Sequence, residues 1–209
     1  MLNVLPEPIA ERLKRREGVI ADQHADVTVL FADLVGFTEM SADMDPSTLV
    51  GLLDDIFSTF DALADAEGLE KIKTIGDAYM VAGGRPAPRP DHPEAVARVA
   101  LAMRDEVAVI SPRVLAGSLS IRIGMDTGPV VAGVIGRRKF IYDLWGDAVN
   151  TASRMESHGL PGRVQVTARA ATRLEGSFEL EPRGTIEVKG KGPMETCWVV
   201  GPIQLPGPA

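Results

Sequence analysis

The 209-residue chain is 45% hydrophobic and 24% charged, the proportions of an ordinary globular domain with material for one good core. Its formal net charge of −7 argues against covering nucleic-acid phosphates, which needs a net basic face, although a few placed cations or a metal can still hold a small anion. A single cysteine, Cys197, excludes an internal disulfide, no stretch approaches the roughly 20 apolar residues of a membrane helix, and the N-terminus lacks a signal-peptide pattern, so a soluble chain in a reducing, cytoplasmic setting is expected.

Residues 6–17 are charged, with Ile9 and Leu13 four apart on one thin helical stripe. Residues 1–22 are therefore expected to be a solvated arm, or a connector to a partner chain or to an upstream sensor or membrane domain, with the main domain at 23–202 and a tail at 203–209. The β-branched run 27–32 stops at Asp33, as a buried strand ending at a polar site does. Asp45-Pro46 supplies a cap and a first helical residue for a helix carrying Leu49, Leu52, Leu53, Ile56, Phe57, Phe60 and Leu63 at helical spacing. Residues 69–74 and 78–81 read as strands joined by the tight turn Ile75-Gly76-Asp77, and the Pro-rich stretch 83–90 closes the first half. A second helix runs through Val96, Val99, Ala100, Met103, Val107 and Ile110, followed by a strand at 119–125. This order predicts an α+β fold, a ferredoxin-like βαββαβ sandwich with a mostly antiparallel sheet and a C-terminal elaboration. Two apolar runs, 130–135 and 140–144, flank Arg137-Arg138-Lys139 and predict a projecting hairpin that needs something to pack against.

Asp33 and Asp77 each sit where an apolar strand gives way to a turn. Either one alone is explained as a capping aspartate. On strands that the sandwich sets side by side, the two carboxylates suit magnesium or manganese, with the Leu34 carbonyl available to complete the shell. Gly36, Phe37 and Thr38 follow, leading into a helix whose free N–H groups can cradle a polyphosphate, though a glycine motif alone is a weak signal. Asn150 and Arg154, four apart on a predicted helix starting near Asp147, share a face; an amide can orient a ribose and a guanidinium can neutralise phosphate charge. From local sequence alone, Arg154 is better explained as a surface arginine paired with Glu156 or another acid.

The blocks Phe31-Ala32-Asp33-Leu34-Val35-Gly36-Phe37-Thr38, Lys71-Ile72-Lys73-Thr74-Ile75-Gly76-Asp77, Arg122-Ile123-Gly124 and 142–155 (Tyr-Asp-Leu-Trp-Gly-Asp-Ala-Val-Asn-Thr-Ala-Ser-Arg-Met) occur in order. Together they resemble the class III nucleotidyl cyclase family, over about 27–200. The resemblance implies that Asp33, Asp77 and the Leu34 carbonyl bind two divalent ions, Mg2+ or Mn2+, and that Asn150 orients the ribose while Arg154 stabilises the transition state. It also implies that Lys189 contacts the terminal phosphates, with Lys191 close enough to compete. Lys73 and Asp143 fall on the two base-selecting positions. A lysine only donates, which suits adenine N1, and an aspartate only accepts, which suits the N6 amine; GTP-selective relatives place a glutamate and a small residue there.

The expected activity is thus an adenylyl cyclase forming cyclic AMP and pyrophosphate from ATP, as a homodimer whose two composite sites each take metal ligands from one chain and the remaining groups from the other. The hairpin around Arg137-Arg138-Lys139 is the candidate arm for embracing the partner. Guanylyl cyclase activity and a catalytically silent nucleotide-sensing dimerisation module are the alternatives.

Overall fold

The computed structural model describes residues 6–15, 18–42, 44–85, 88–113, 119–136 and 140–204. A helix α1 (Glu7–Lys14) precedes the long strand β1 (Ala21–Val35), which leads through the short α2 (Phe37–Ser41) to α3 (Pro46–Ala66). The hairpin β2 (Glu70–Ile75) and β3 (Ala78–Gly83), the helix α4 (His92–Ile110) and the strand β4 (Ser120–Ile135) complete the βαββαβ core. Beyond it come β5 (Ile141–Trp145), α5 (Asp147–Ser157), β6 (Arg163–Thr167), α6 (Ala168–Leu174), β7 (Phe178–Val188) and β8 (Gly192–Pro202). The strand order is β2-β3-β1-β4-β6-β8-β7, with β5 pairing β4. Its first four strands have the expected ferredoxin-like order, every pair in it being antiparallel except β4 with β6.

Two apolar layers sandwich the sheet. On one face α3, α4 and α6 bury a large core that includes Leu30, Ile56, Phe60, Val96, Met103, Ile123 and Leu174. On the other, α5, β5 and α1 cover Val27, Val29, Met80, Val130 and Tyr142, and Ile9 and Leu13 of α1 pack there. Cys197 lies half-buried in β8, packed against the first core. No helix among the described residues is long and apolar enough to cross a membrane.

One difference from the sequence reading concerns β4. Residues 119–125 and 130–135 read as separate strands because Asp126-Thr127-Gly128-Pro129 resembles a turn, yet Ser120–Ile135 runs as a single strand of 16 residues. The strand survives its proline because β1 shifts register between His24 and Val27, directly opposite, so the missing N–H falls at a bulge. The distal part of β4 pairs with β5 from Val131↔Trp145 to Ile135↔Ile141, as the expected hairpin requires, while its tip Arg137-Arg138-Lys139 lies outside the described residues.

The seating of α5 depends on Gly124 in β4. A Cβ there would stand 1.9 Å from the Glu156 amide nitrogen and 2.6 Å from the Ala152 carbonyl oxygen, so only glycine lets the helix backbone lie this close to the strand. Gly124→Ala is expected to cost about 3 kcal/mol or more, because backbone on both sides must give way. Gly51→Ala, in open space on the exposed side of α3, should instead stabilise by about 0.5–1 kcal/mol. Thermal unfolding of the two variants beside the parent checks both signs.

Candidate active site

Strand alternation points Asp33 and Arg122 toward the α5 face, opposite the buried Ala32, Leu34, Ile121 and Ile123. The pairing of β1 with β3 places Asp33 across from Ala78, and the Leu34 amide donates to the Asp77 carbonyl at 3.4 Å, so the two aspartates are neighbours at one end of the sheet. Gly76, with φ of +62°, makes the two-residue turn that holds Asp77 there. Leu34 buries its side chain in the core, so only its backbone is available to a cation.

Arg122, the cross-strand partner of Asp33 in β4, donates from Nη2 to Asp33 Oδ2 at 2.8 Å and from Nε to Glu156 Oε1 at 3.2 Å. Glu156 was expected at most as a partner for Arg154; the structure gives it to Arg122, and among the described residues Arg154 has no ion-pair partner. Burial, and then the negative charge of Asp33 and of Asp77, push the Glu156 carboxyl up to about 7 against the pull of Arg122. Three carboxyl groups and one guanidinium therefore share this corner. The sequence held one signal for it, Gly124 two residues after Arg122, which marks where a helix backbone presses on the strand.

The donor chemistry here fits a hard divalent cation. Asp33, Asp77 and the Leu34 carbonyl could supply oxygen donors, and so small a donor set would leave coordination positions for water and phosphate, as magnesium prefers. Just downstream Gly36, at φ of +85°, turns the chain from β1 into α2. The Phe37 side chain is buried in the core, which leaves only its backbone to a ligand, while Thr38 is exposed.

Of the other candidate residues, the structure brings Lys73 and Asp143 together. Lys73 Nζ donates to Asp143 Oδ2 at 2.5 Å across 70 positions of sequence, and Asp143 Oδ1 accepts from the Leu144 amide at 2.9 Å. On α5, Asn150 is exposed and Arg154 half-buried. The helix turns by about 100° per residue, so with Glu156 facing Arg122, Arg154 two positions earlier faces the other way. No hydrogen bond or ion pair among the described residues joins Asn150 or Arg154 to Asp33 or Asp77 of the same chain. Lys191, in the turn between β7 and β8, donates to Asp147 at the start of α5, while Lys189 in the same turn is exposed and has no ion-pair partner among the described residues.

The catalytic-domain model of adenylate and guanylate cyclases matches residues 19–201. The chain belongs to this family. It is 51% identical over 203 residues to a protein of Mycobacterium tuberculosis (strain ATCC 25618 / H37Rv) called adenylate cyclase, over 96% of this chain but 45% of that protein, so it spans less than half the relative's length. The guanylate cyclase domain of RhGC from Catenaria anguillulae, solved in complex with GTP, superposes with a TM-score of 0.83 at 36% identity, covering 87% of this chain and 100% of that one. The adenylyl cyclase CyaB from P. aeruginosa superposes with a TM-score of 0.82 at 28% identity, covering 86% and 95% of the two chains. The matched residues span the elements from β1 to β8, all but the last residue of β8.

The Glu156 carboxyl gives this corner a pH signature. Between 4.5, its ordinary value, and about 7, the folded chain holds a proton that the unfolded chain has released. Its contribution therefore makes stability fall as pH rises through that window. In chelator-containing buffer, Glu156→Gln should remove this part of the slope in denaturant midpoints between pH 5 and 7; an unchanged slope would assign the titration to another group.

Proposed function

We propose that this cyclase domain is an adenylyl cyclase, forming 3′,5′-cyclic AMP and pyrophosphate from ATP at two composite sites of a homodimer. The observation that carries the choice of nucleotide is the Lys73–Asp143 pair, a donor and an acceptor held side by side. Adenine presents the complementary pattern, an N1 acceptor beside an N6 amine, whereas guanine presents the reverse.

Asp33 and Asp77, with the Leu34 carbonyl, would hold two divalent ions, Mg2+ or Mn2+. When bound, these ions lower the pKa of the ribose 3′-hydroxyl and offset the charge on the departing pyrophosphate. The partner copy supplies the remaining groups. Its Lys73 and Asp143 read the base, and its Asn150 orients the ribose so that the 3′-oxygen stands in line with the α-phosphorus. Arg154 meets the charge that accumulates on the α-phosphate oxygens, and Lys189 holds the terminal phosphates. Gly36, Phe37 and Thr38 lie beside the metal aspartates, where backbone N–H groups suit the polyphosphate. The chemistry needs no covalent intermediate, and no side chain is assigned as general base.

The division between copies is supported by the orientation of α5, which turns Arg154 away from the Asp33 of its own chain. A second copy also has something to cover, since Val131, Ile135, Ile141 and Trp145 on the β4–β5 hairpin and Ile75 at the end of β2 are exposed apolar side chains. The cytoplasmic setting and an upstream sensor or membrane module connected through α1 belong to the same reading.

Purified protein with Mn2+ or Mg2+ should convert ATP in preference to GTP. Lys73→Glu combined with Asp143→Ser should lower kcat/KM for ATP by at least ~100-fold, because the base then meets unpaired or mismatched groups, and should raise that for GTP. A parent protein that prefers GTP would overturn the assignment.

A further inference from the structure

Away from Asp33 and Asp77, a chain of charges runs from a buried carboxylate out to exposed groups and ties β4, α6, α5 and the β7–β8 turn together. Asp126 of β4 is fully buried and accepts from Thr167 Oγ1 at 2.6 Å and from Arg169 Nε at 2.7 Å, with Arg169 Nη2 bonding its second oxygen. The same Nη2 stands 3.5 Å from Asp147 Oδ2 at the first turn of α5, and Asp147 Oδ1 accepts from Lys191 Nζ.

We infer that Arg169, Asp147 and Lys191 form a positioning relay that docks the β7–β8 turn on the start of α5 and so fixes Lys189 for the substrate's terminal phosphates. The inference rests on the nucleotidyl cyclase reading above. Two lysines two positions apart compete for one polyphosphate, and the structure divides their labour. Lys191 is committed to Asp147, and Lys189 at the tip of the turn is left exposed to the ligand. The anchor ends on a fully buried carboxylate that is satisfied by Thr167 and a bidentate arginine. A tip turn hung on two strands alone would leave a flexible lysine to be ordered at binding, at an entropic cost that the relay removes in advance. Because α5 also carries Asn150 and Arg154, the relay makes the ribose, transition-state and terminal-phosphate groups one preorganised unit of a single chain.

The relay predicts coupling between Lys191 and Lys189. Lys191→Met and Asp147→Asn change an exposed turn and a half-exposed helix start and leave the Asp126–Arg169 pair intact, so both proteins should keep the parent melting temperature. Each should raise KM for ATP on the order of tenfold, with kcat changing much less, as misplacement of a binding group does. The double variant Lys189→Ala with Lys191→Met should bind ATP no more weakly than Lys189→Ala alone, since the relay acts only through Lys189. An unchanged KM in active Lys191→Met or Asp147→Asn protein, or losses that multiply in the double variant, would overturn the relay and leave the cyclase reading standing. A parent protein that cyclises neither ATP nor GTP would overturn both.

Discussion

The contact that orders the site is the one between α5 and β4. At Gly124 the helix backbone lies against the strand without a side chain between them, and this fixes both the height and the rotation of α5. Glu156 is thereby driven inward beside Arg122 and Asp33, and it carries a proton into the neutral range because burial and the adjoining aspartates disfavour its charge. The same rotation sends Asn150 and Arg154 outward. Asp33 and Glu156 therefore lie on one aspect of α5 and Asn150 and Arg154 on another, which is the arrangement the proposed composite site uses.

The sheet supplies the rest of the frame. Pairing of β1 with β3 sets Asp33 beside Asp77 whatever α5 does, because the register and the two-residue turn at Gly76 define their positions. The long β4 carries three separate duties on one strand: Arg122 at the metal corner, Asp126 under the relay, and the distal stretch that presents β5 and Asp143 to Lys73. The bulge that accommodates Pro129 lies between the last two. Register along this strand thus couples the Lys73–Asp143 pair to the Asp126–Arg169 pair, and a slip would disturb both.

The parts of this arrangement that local pattern can express were legible in the sequence. The order of strand, helix and hairpin and the tight turn at Asp77 placed Asp33 and Asp77 on adjoining strands, and the four-residue interval put Asn150 and Arg154 on one helical face. Lys73 and Asp143 were paired through family resemblance alone, since the approach of β5 to β2 depends on how a whole hairpin curls. The pairing of Glu156 with Arg122 was not foreseen because it is set by a tertiary crossing, to which Gly124 was a local clue. Asp126 was hidden by its neighbours, for Asp-Thr-Gly-Pro has turn composition and is a strand only because β1 bulges opposite it. Lys189 was preferred to Lys191 for the phosphates through family resemblance, and the contact of Lys191 with Asp147 was not foreseen because the two are 44 positions apart.

The central claim, that each site draws its acids from one copy and its guanidinium from the other, is tested most directly by mixing two inactive proteins. Asp33→Ala removes the cation half and Arg154→Ala the transition-state half. Each homodimer should be without activity, while equimolar mixing and exchange of subunits should restore one intact site per heterodimer, and cyclic AMP formation should return to about a quarter of the parent rate if exchange is statistical. A mixture that exchanges subunits, as native mass spectrometry reports, and still forms no cyclic AMP would contradict the account.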